Sequence, residues 1–101
     1  MSLVTAVITT CVRPQYGYEA LAAVWAETYR EVECLLVDDG GTFDASGIDR
    51  DVRVLRSDGR GVAQARNVGL AAARGEFVIF LDDDDVALPH RISTLVDAVT
   101  R

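Results

Sequence analysis

The sequence predicts an α/β fold. We expect a mainly parallel sheet of about four strands in the order 3-2-1-4, in a Rossmann-like three-layer α/β/α arrangement. Three observations predict it. Short runs rich in Val, Ile, Leu and Phe alternate with stretches of helical periodicity, as in βαβ units. Each apolar run feeds a polar cluster or a break: Thr9-Thr10, Asp38-Asp39-Gly40-Gly41, and Asp82 to Asp85. The chain has 101 residues, 50% of them hydrophobic. That suffices for one small domain over residues 1–101 with its own core.

Val4 to Thr10 is rich in Val, Ile and Thr and reads as the first strand. Arg13-Pro14 and Gly17 mark a loop. From Tyr18 to Arg30, Leu21, Val24, Trp25, Thr28 and Tyr29 recur at helical spacing and give one apolar stripe. Val32 to Val37 is the second strand, stopped by Asp38-Asp39-Gly40-Gly41. Thr42 to Asp51 is polar and glycine-bearing, a loop with at most a turn of helix. Val52 to Arg56 is a short third strand, and Ser57 to Gly61 a second glycine-rich break.

Val62 to Arg74 is Ala-rich and helical, with Val62, Ala65, Val68 and Ala72 for a packing face and Gly75 as its C-terminal cap. Phe77 to Leu81 is a continuous apolar run, which suits a strand buried on both faces. Four adjacent Asp repel one another and have low strand propensity, so the strand ends at them. Leu88 to Arg101 carries Pro89 in a first turn and an apolar stripe of Ile92, Leu95, Val96 and Val99.

Right-handed crossovers put the third strand beside the second, the second beside the first, and the fourth on the far side of the first. The chain reverses direction across the sheet between strands one and four. A ligand crevice opens at such a reversal, beyond the carboxyl ends of the strands. Thr9, Thr10, Asp38, Asp39 and the four-Asp run all fall on that edge.

Net charge is −6, and four of the sixteen acidic residues sit in the one Asp run. The ten basic residues are all Arg and are dispersed, so a nucleic-acid surface is not indicated. Cys11 and Cys34 have neither metal spacing nor a disulfide framework and read as reduced core residues. This fits a cytoplasmic location. No run is long enough to span a membrane, and the N-terminus is not a signal peptide.

Taken alone, each grouping has two readings. The Asp run is a site for a hard divalent cation or a solvated acidic turn. Asp38-Asp39-Gly40 is a carboxylate pair facing a nucleotide or a capped turn. Thr9 and Thr10 are ligand contacts or plain strand residues. Arg66 begins near the same crevice and either reaches a pyrophosphate or is a solvated helix residue. Asn67 reads as a loop anchor. His90 reads as a surface residue, and Arg13 as a weaker phosphate contact. The glycines at 59 and 61 free the loop but form no dinucleotide or P-loop fingerprint.

Four pieces in order resemble the N-terminal half of a family 2 glycosyltransferase of the GT-A fold. They are Ala6-Val7-Ile8-Thr9-Thr10, Leu36-Val37-Asp38-Asp39-Gly40, Gly61 through Ala65-Arg66-Asn67-Val68-Gly69, and Gly75-Glu76-Phe77 through Leu81-Asp82-Asp83-Asp84-Asp85 to Pro89. The resemblance runs from Val4 to about Val99. The chain departs from the family pattern at Cys11-Val12, Gly41 and His90.

The resemblance implies an inverting, metal-dependent transfer from a nucleotide-diphosphate sugar. Thr9, Thr10, Asp38 and Asp39 would bind the donor nucleotide, with Thr9 and Asp39 at its base. Arg66 would lie near the base or diphosphate. Asp82 and Asp84 would form the Asp-x-Asp pair for Mn²⁺ or Mg²⁺, with Asp84 the direct ligand and Asp83 assisting at the donor. The general base and acceptor site would belong to a C-terminal half. On that reading these 101 residues bind donor and do not turn over alone. The fourth strand or last helix would then drive self-association into a homo-oligomer.

Three other classes compete. A receiver domain also gathers acidic residues at strand ends, but it uses a Lys, which this chain lacks. A GT-A-like nucleotidyltransferase would show a basic, Gly-rich loop after the first strand. A non-catalytic module would use the Asp run to hold Ca²⁺ or to solvate a loop.

Overall fold

The computed structural model describes residues 2–10, 14–41, 43–48, 50–82 and 91–100. The expectations for Cys11, Val12, Arg13, Asp83, Asp84, Asp85, Pro89 and His90 lie outside the described residues. Among the described residues seven elements follow in order: β1 (Val4–Thr10), α1 (Pro14–Trp25), β2 (Val32–Asp39), β3 (Arg53–Ser57), α2 (Val62–Ala72), β4 (Phe77–Asp82) and α3 (Arg91–Thr100). The four strands form one sheet in the order β3-β2-β1-β4, and every pairing is parallel. This is the order the sequence predicts.

β1 is buried along its whole length, because it has a strand on either side and helices on both faces. Alternation along the strands sorts the core into two layers. Val4, Ala6, Ile8, Leu36, Leu81, and Ile79 beside them, pack with α1 and α3. Val7, Leu35 and Val37 pack with Ala65 and Val68 of α2. Sequential strands β1, β2 and β3 step one way across the sheet, with α1 and residues 43–48 on one face. The step from β3 back to β4 reverses, and α2 lies on the other face. Crossovers of a single hand require this exchange of faces.

Several boundaries differ from the sequence-based expectation. Pro14 and Gly17 lie within α1 instead of a loop. Proline is tolerated in a first helical turn. A Cβ on Gly17 would fall 2.8 Å from the Phe43 ring, so Gly17 is a contact glycine. The helix ends at Trp25, leaving Thr28 and Tyr29 beyond it. Residues 43–48 hold no helix; Phe43, buried at 2% exposure, packs this connection onto the core. Gly75 is not the cap of α2, which is Ala73 in an extended conformation. Instead the Gly75 N–H donates to Thr5 Oγ1 at 2.8 Å, and a Cβ there would meet the Thr5 backbone nitrogen at 2.6 Å.

β4 is half-buried, not buried on both faces, because among the described residues it has β1 as its one strand neighbour. Leu81 is its buried residue. Val62 of α2 and Leu95 and Val99 of α3 are exposed, so the packing faces are narrower than their periodicity suggests. Cys34 is a free, buried thiol whose burial pushes its pKa up to about 11. Such a thiol is inert at neutral pH, as expected of a core residue.

Candidate functional site

The carboxyl ends of β1, β2 and β4 carry the residues in question. Strand pairing brings them together. Thr9 is in register with Asp82 of β4 and with Val37 of β2, and Thr10 is in register with Asp38. β2 runs two residues further than expected, through Asp38 and Asp39, because both find partners on β3. Asp38 is in register with Arg56 and Asp39 with Ser57. β4 likewise runs through Asp82.

Side chains of successive strand residues point to opposite faces. Asp38 and Asp39 therefore part company. Asp39 lies on the α2 side, as do Thr9 and Asp82. Asp38 turns toward the α1 side, where its carboxylate is 1% exposed.

On the α2 side, the Thr9 hydroxyl donates to Asp82 Oδ1 at 3.0 Å. Arg66 reaches down from α2, and its Nη2 donates to Asp82 Oδ1 at 3.2 Å and Oδ2 at 3.4 Å. The guanidinium carbon stands 5.7 Å from the centre of the Phe80 ring, a cation–π contact. Phe80 and Asp82 share a face of β4, so one strand supplies both the apolar platform and the anion. Arg66 Nε is buried and has no hydrogen-bond partner among the described residues.

Asp39 is buried in a cradle made by residues 57–61. Its Oδ1 accepts from Ser57 Oγ at 2.6 Å and Gly59 N at 2.9 Å, and its Oδ2 from Gly61 N at 3.0 Å. Gly59 and Gly61 have φ of 75° and 108°, values that favour glycine and turn both N–H groups inward. The Ser57 hydroxyl, against the opposing pull of burial and with the Gly61 and Gly59 N–H groups, holds the Asp39 carboxyl below its ordinary range. Because Gly61 also precedes α2, Asp39 fixes where that helix starts and so where Arg66 stands.

On the α1 side, Asp38 Oδ2 accepts from Phe43 N at 2.6 Å and from Arg56 Nη1, while Arg56 Nη2 donates to Phe43 O at 2.8 Å. Asp38 is thus spent on holding the connection after β2. Thr10 is buried beside it in the sheet. The structure therefore joins Thr9, Arg66 and Asp82 by hydrogen bonds and sets Asp39 on the same face of the sheet, with Thr10 and Asp38 on the opposite face. Asp83 and Asp84 lie outside the described residues.

Sequence reasoning missed Arg56, Ser57 and Phe80. The signals were present as register: a strand ending Arg-Ser beside one ending Asp-Asp, and an aromatic two positions before Asp82. It also missed Glu27, buried at 8% exposure, whose Oε1 accepts from Ile92 N at 2.7 Å and so holds the start of α3.

Among the described residues no three of His, Cys, Asp and Glu are grouped to hold a metal ion. Asp82 is the described member of the acidic run, with its side chain 39% exposed. A donor set made of carboxylate oxygens fits a hard divalent cation such as Mg²⁺ or Mn²⁺. No helix among the described residues is long and apolar enough to cross a membrane.

A family model described as glycosyl transferase family 2 matches residues 5–101. The chain is 33% identical over 105 aligned positions to glycosyltransferase GlyG of Streptococcus pneumoniae, covering 96% of this chain and 35% of GlyG. Its fold is similar to the crystal structure of S. aureus TarS, with a TM-score of 0.81 at 24% identity, over 97% of this chain and 19% of that one. It is also similar to the mannosyltransferase PcManGT from Pyrobaculum calidifontis, in complex with GDP-Man and Mn²⁺. There the TM-score is 0.76 at 27% identity, over 97% of this chain and 31% of that one. The chain thus spans about a third or less of the length of each of these relatives.

Proposed function

The chain belongs to glycosyl transferase family 2, and on that premise we propose that its 101 residues are the donor- and metal-binding region of an inverting glycosyltransferase. The observation that carries the reading is the placement of Thr9, Asp39, Arg66 and Asp82 on the α2 side of the sheet edge where the strand order reverses. The ligand is a nucleoside-diphosphate sugar. Thr9 and Asp39 face the nucleoside, and Arg66 supplies positive charge to the diphosphate. Thr10 and Asp38 support the strand ends from behind. Asp82 and Asp84, with Asp83 assisting, hold a divalent cation, Mn²⁺ or Mg²⁺. When bound, that cation neutralises the charge that develops on the departing nucleoside diphosphate.

In the reaction an acceptor hydroxyl loses its proton to a general base and its oxygen bonds to the anomeric carbon. The bond from that carbon to the diphosphate oxygen breaks, its electron pair leaves with the nucleoside diphosphate, and the configuration inverts. This chain's residues bind and orient the donor; the base and acceptor site are assigned elsewhere. The isolated chain is therefore expected to bind donor without transferring its sugar. TarS has a structure in complex with UDP-GlcNAc and PcManGT one with GDP-Man, so UDP and GDP are the probes of choice.

The test is calorimetric titration of UDP and GDP, with and without Mn²⁺, on the wild type and on Asp84→Ala. The reading expects metal-dependent binding of one nucleotide, lost in the variant. Binding of neither nucleotide, or binding indifferent to Mn²⁺ and to Asp84→Ala, overturns it.

We further propose a cytoplasmic location, which a buried unpaired thiol such as Cys34 suits. Self-association through β4 or α3 belongs to the same proposal. The outer edge of β4 and the exposed Leu95 and Val99 support it.

A further inference from the structure

The helix that carries Arg66 is fastened at both ends to one face of β2. Strand residues alternate between faces, so Glu33, Leu35, Val37 and Asp39 all point to the α2 side. Leu35 and Val37 pack under the helix, with a carboxylate beyond each of them. Asp39 accepts from the Gly61 N–H at the start of α2. At the other end, Glu33 Oε2 accepts from the Arg74 N–H at 3.0 Å and from Thr5 Oγ1 at 2.7 Å. Glu33 Oε1 accepts from Arg53 Nη1 at 3.1 Å. The same nitrogen donates at 3.0 Å to the carbonyl of Ala72, the last residue of α2.

The two clamps match the helix in length and in charge. From Glu33 to Asp39 the strand runs about 20 Å. The 11-residue helix is about 16 Å long, and Gly61 and the extended Ala73 make up the difference. An anion at the start of a helix and a cation at its end both suit its dipole. Between the clamps little fixes the helix along its axis. Ala65 and Gly69 are its buried residues, with Val68 and Ala72 half-buried beside them. Side chains this small bring the helix close to the sheet but form no ridge that locks its axial register. The polar bonds at its ends set that register instead.

We propose that Glu33 is a positioning residue for the donor site, acting from the opposite edge of the sheet. The inference rests on the donor-site reading. Through Arg53 and the Arg74 N–H, Glu33 holds the C-terminal end of α2. It thereby sets the height and tilt at which Arg66 leaves the helix to meet Phe80 and Asp82. Without this clamp the Ala72 carbonyl and the Arg74 N–H turn to water, and α2 shifts on its smooth face and carries Arg66 with it.

The test compares variants at the far clamp with a control in the other core layer. Arg53→Met removes the guanidinium from a side chain that is 37% exposed and leaves the core alone, so the fold survives it. Glu33→Gln replaces one acceptor oxygen by a donor. Ile92→Val, on the α1 side, controls for a general loss of stability. UDP and GDP are titrated in Mn²⁺ with each protein fully folded. Arg53→Met and Glu33→Gln should bind the nucleotide that the wild type binds about fivefold more weakly. Arg53→Lys, whose ammonium still reaches Glu33 and the Ala72 carbonyl, should recover most of the loss. Ile92→Val should bind as the wild type does. Glu33→Gln should add nothing to the effect of Arg66→Met, because it acts through Arg66. A second measurement needs no nucleotide. The Arg66 Nε–Hε resonance should move in Arg53→Met, although Arg53 meets the helix at Ala72, and should stay in place in Ile92→Val.

Wild-type affinity in both clamp variants, or an unmoved Arg66 resonance, overturns the proposal and leaves the donor-site reading standing. Full additivity of Glu33→Gln with Arg66→Met does the same. If the wild type binds neither nucleotide, both fall.

Discussion

Thr9 and Asp82 face each other across the β1–β4 pair, and the Thr9 hydroxyl donates to Asp82 Oδ1 at 3.0 Å. The most buried strand of the sheet thereby fixes the first carboxylate of the acidic run. Thr9→Val keeps the β-branched shape and removes the donor. We expect it to cost about 1 kcal/mol in urea denaturation, the net worth of one hydrogen bond. Nucleotide binding in Mn²⁺ should weaken with it, and Thr9→Ser should recover most of that binding.

Asp39 makes the folded state sensitive to acid. Its carboxylate takes the Ser57 hydroxyl and the Gly59 and Gly61 N–H groups, which hold its pKa below the ordinary aspartate value of about 3.9. A carboxyl with a depressed folded pKa adds stability that is fully present above the unfolded value. That stability is lost as pH falls through the folded value. Glu33 acts in the same sense. Burial pulls its pKa up, but the Thr5 hydroxyl, the Arg74 N–H and Arg53 outweigh it. Stability should therefore be flat from neutral pH to about 5 and fall below about 4. Asp39→Asn should lose about 2 kcal/mol at pH 7 and show a shallower acid limb in denaturation series across pH.

The parts of the fold written in local pattern were legible. Apolar runs alternating with helical stripes predicted four parallel strands in the order 3-2-1-4, and the crevice followed from that order. What failed rests on contacts between residues distant in sequence. Pro14 and Gly17 looked like a loop because the Phe43 ring that demands a glycine lies across a whole strand from it. Gly75 looked like a helix cap because its true partner, Thr5, is 70 residues away. Asp38 and Asp39 looked like a strand stop because Arg56 and Ser57, which let the strand continue, stand on its neighbour. Which polar residues end the strands on one sheet edge was legible in the sequence. That Asp38 and Asp39 serve opposite faces follows only once both are known to lie in the strand.

Gly69 is where α2 comes closest to the sheet. A Cβ there would fall 2.4 Å from Cγ1 of the fully buried Val7. Helix propensity favours Ala over Gly by about 1 kcal/mol, while overpacking a core costs about 1–3 kcal/mol. At this separation overpacking wins, so Gly69→Ala should be destabilising by thermal melting. Combining it with Val7→Ala should recover part of the loss. A stabilised Gly69→Ala would show that α2 shifts outward freely. Because Arg66 precedes Gly69 on the same helix, that shift would also weaken nucleotide binding.

The last prediction concerns the edge of the sheet. β4 pairs with β1 on one side; on the other, no strand is among the described residues. Beside that edge Phe77, Val78, Ile79, Leu95, Val96 and Val99 line an apolar cavity of about 220 Å³. Leu95 is 43% exposed and Val99 62%. A strand edge with no partner among the described residues, flanked by exposed apolar side chains, can act as a template for another chain. The surface can match itself across a two-fold axis, because two β4 edges can pair while two α3 faces meet. The 101-residue chain should therefore self-associate as concentration rises in sedimentation velocity. Leu95→Glu with Val99→Glu should shift it to monomer without loss of secondary structure, since neither side chain is in the core. A wild-type chain that stays monomeric at high micromolar concentration would rule this surface out. If the double variant associates as strongly as the wild type, the contact lies elsewhere, and the edge of β4 alone, tested by Ile79→Pro, becomes the place to look.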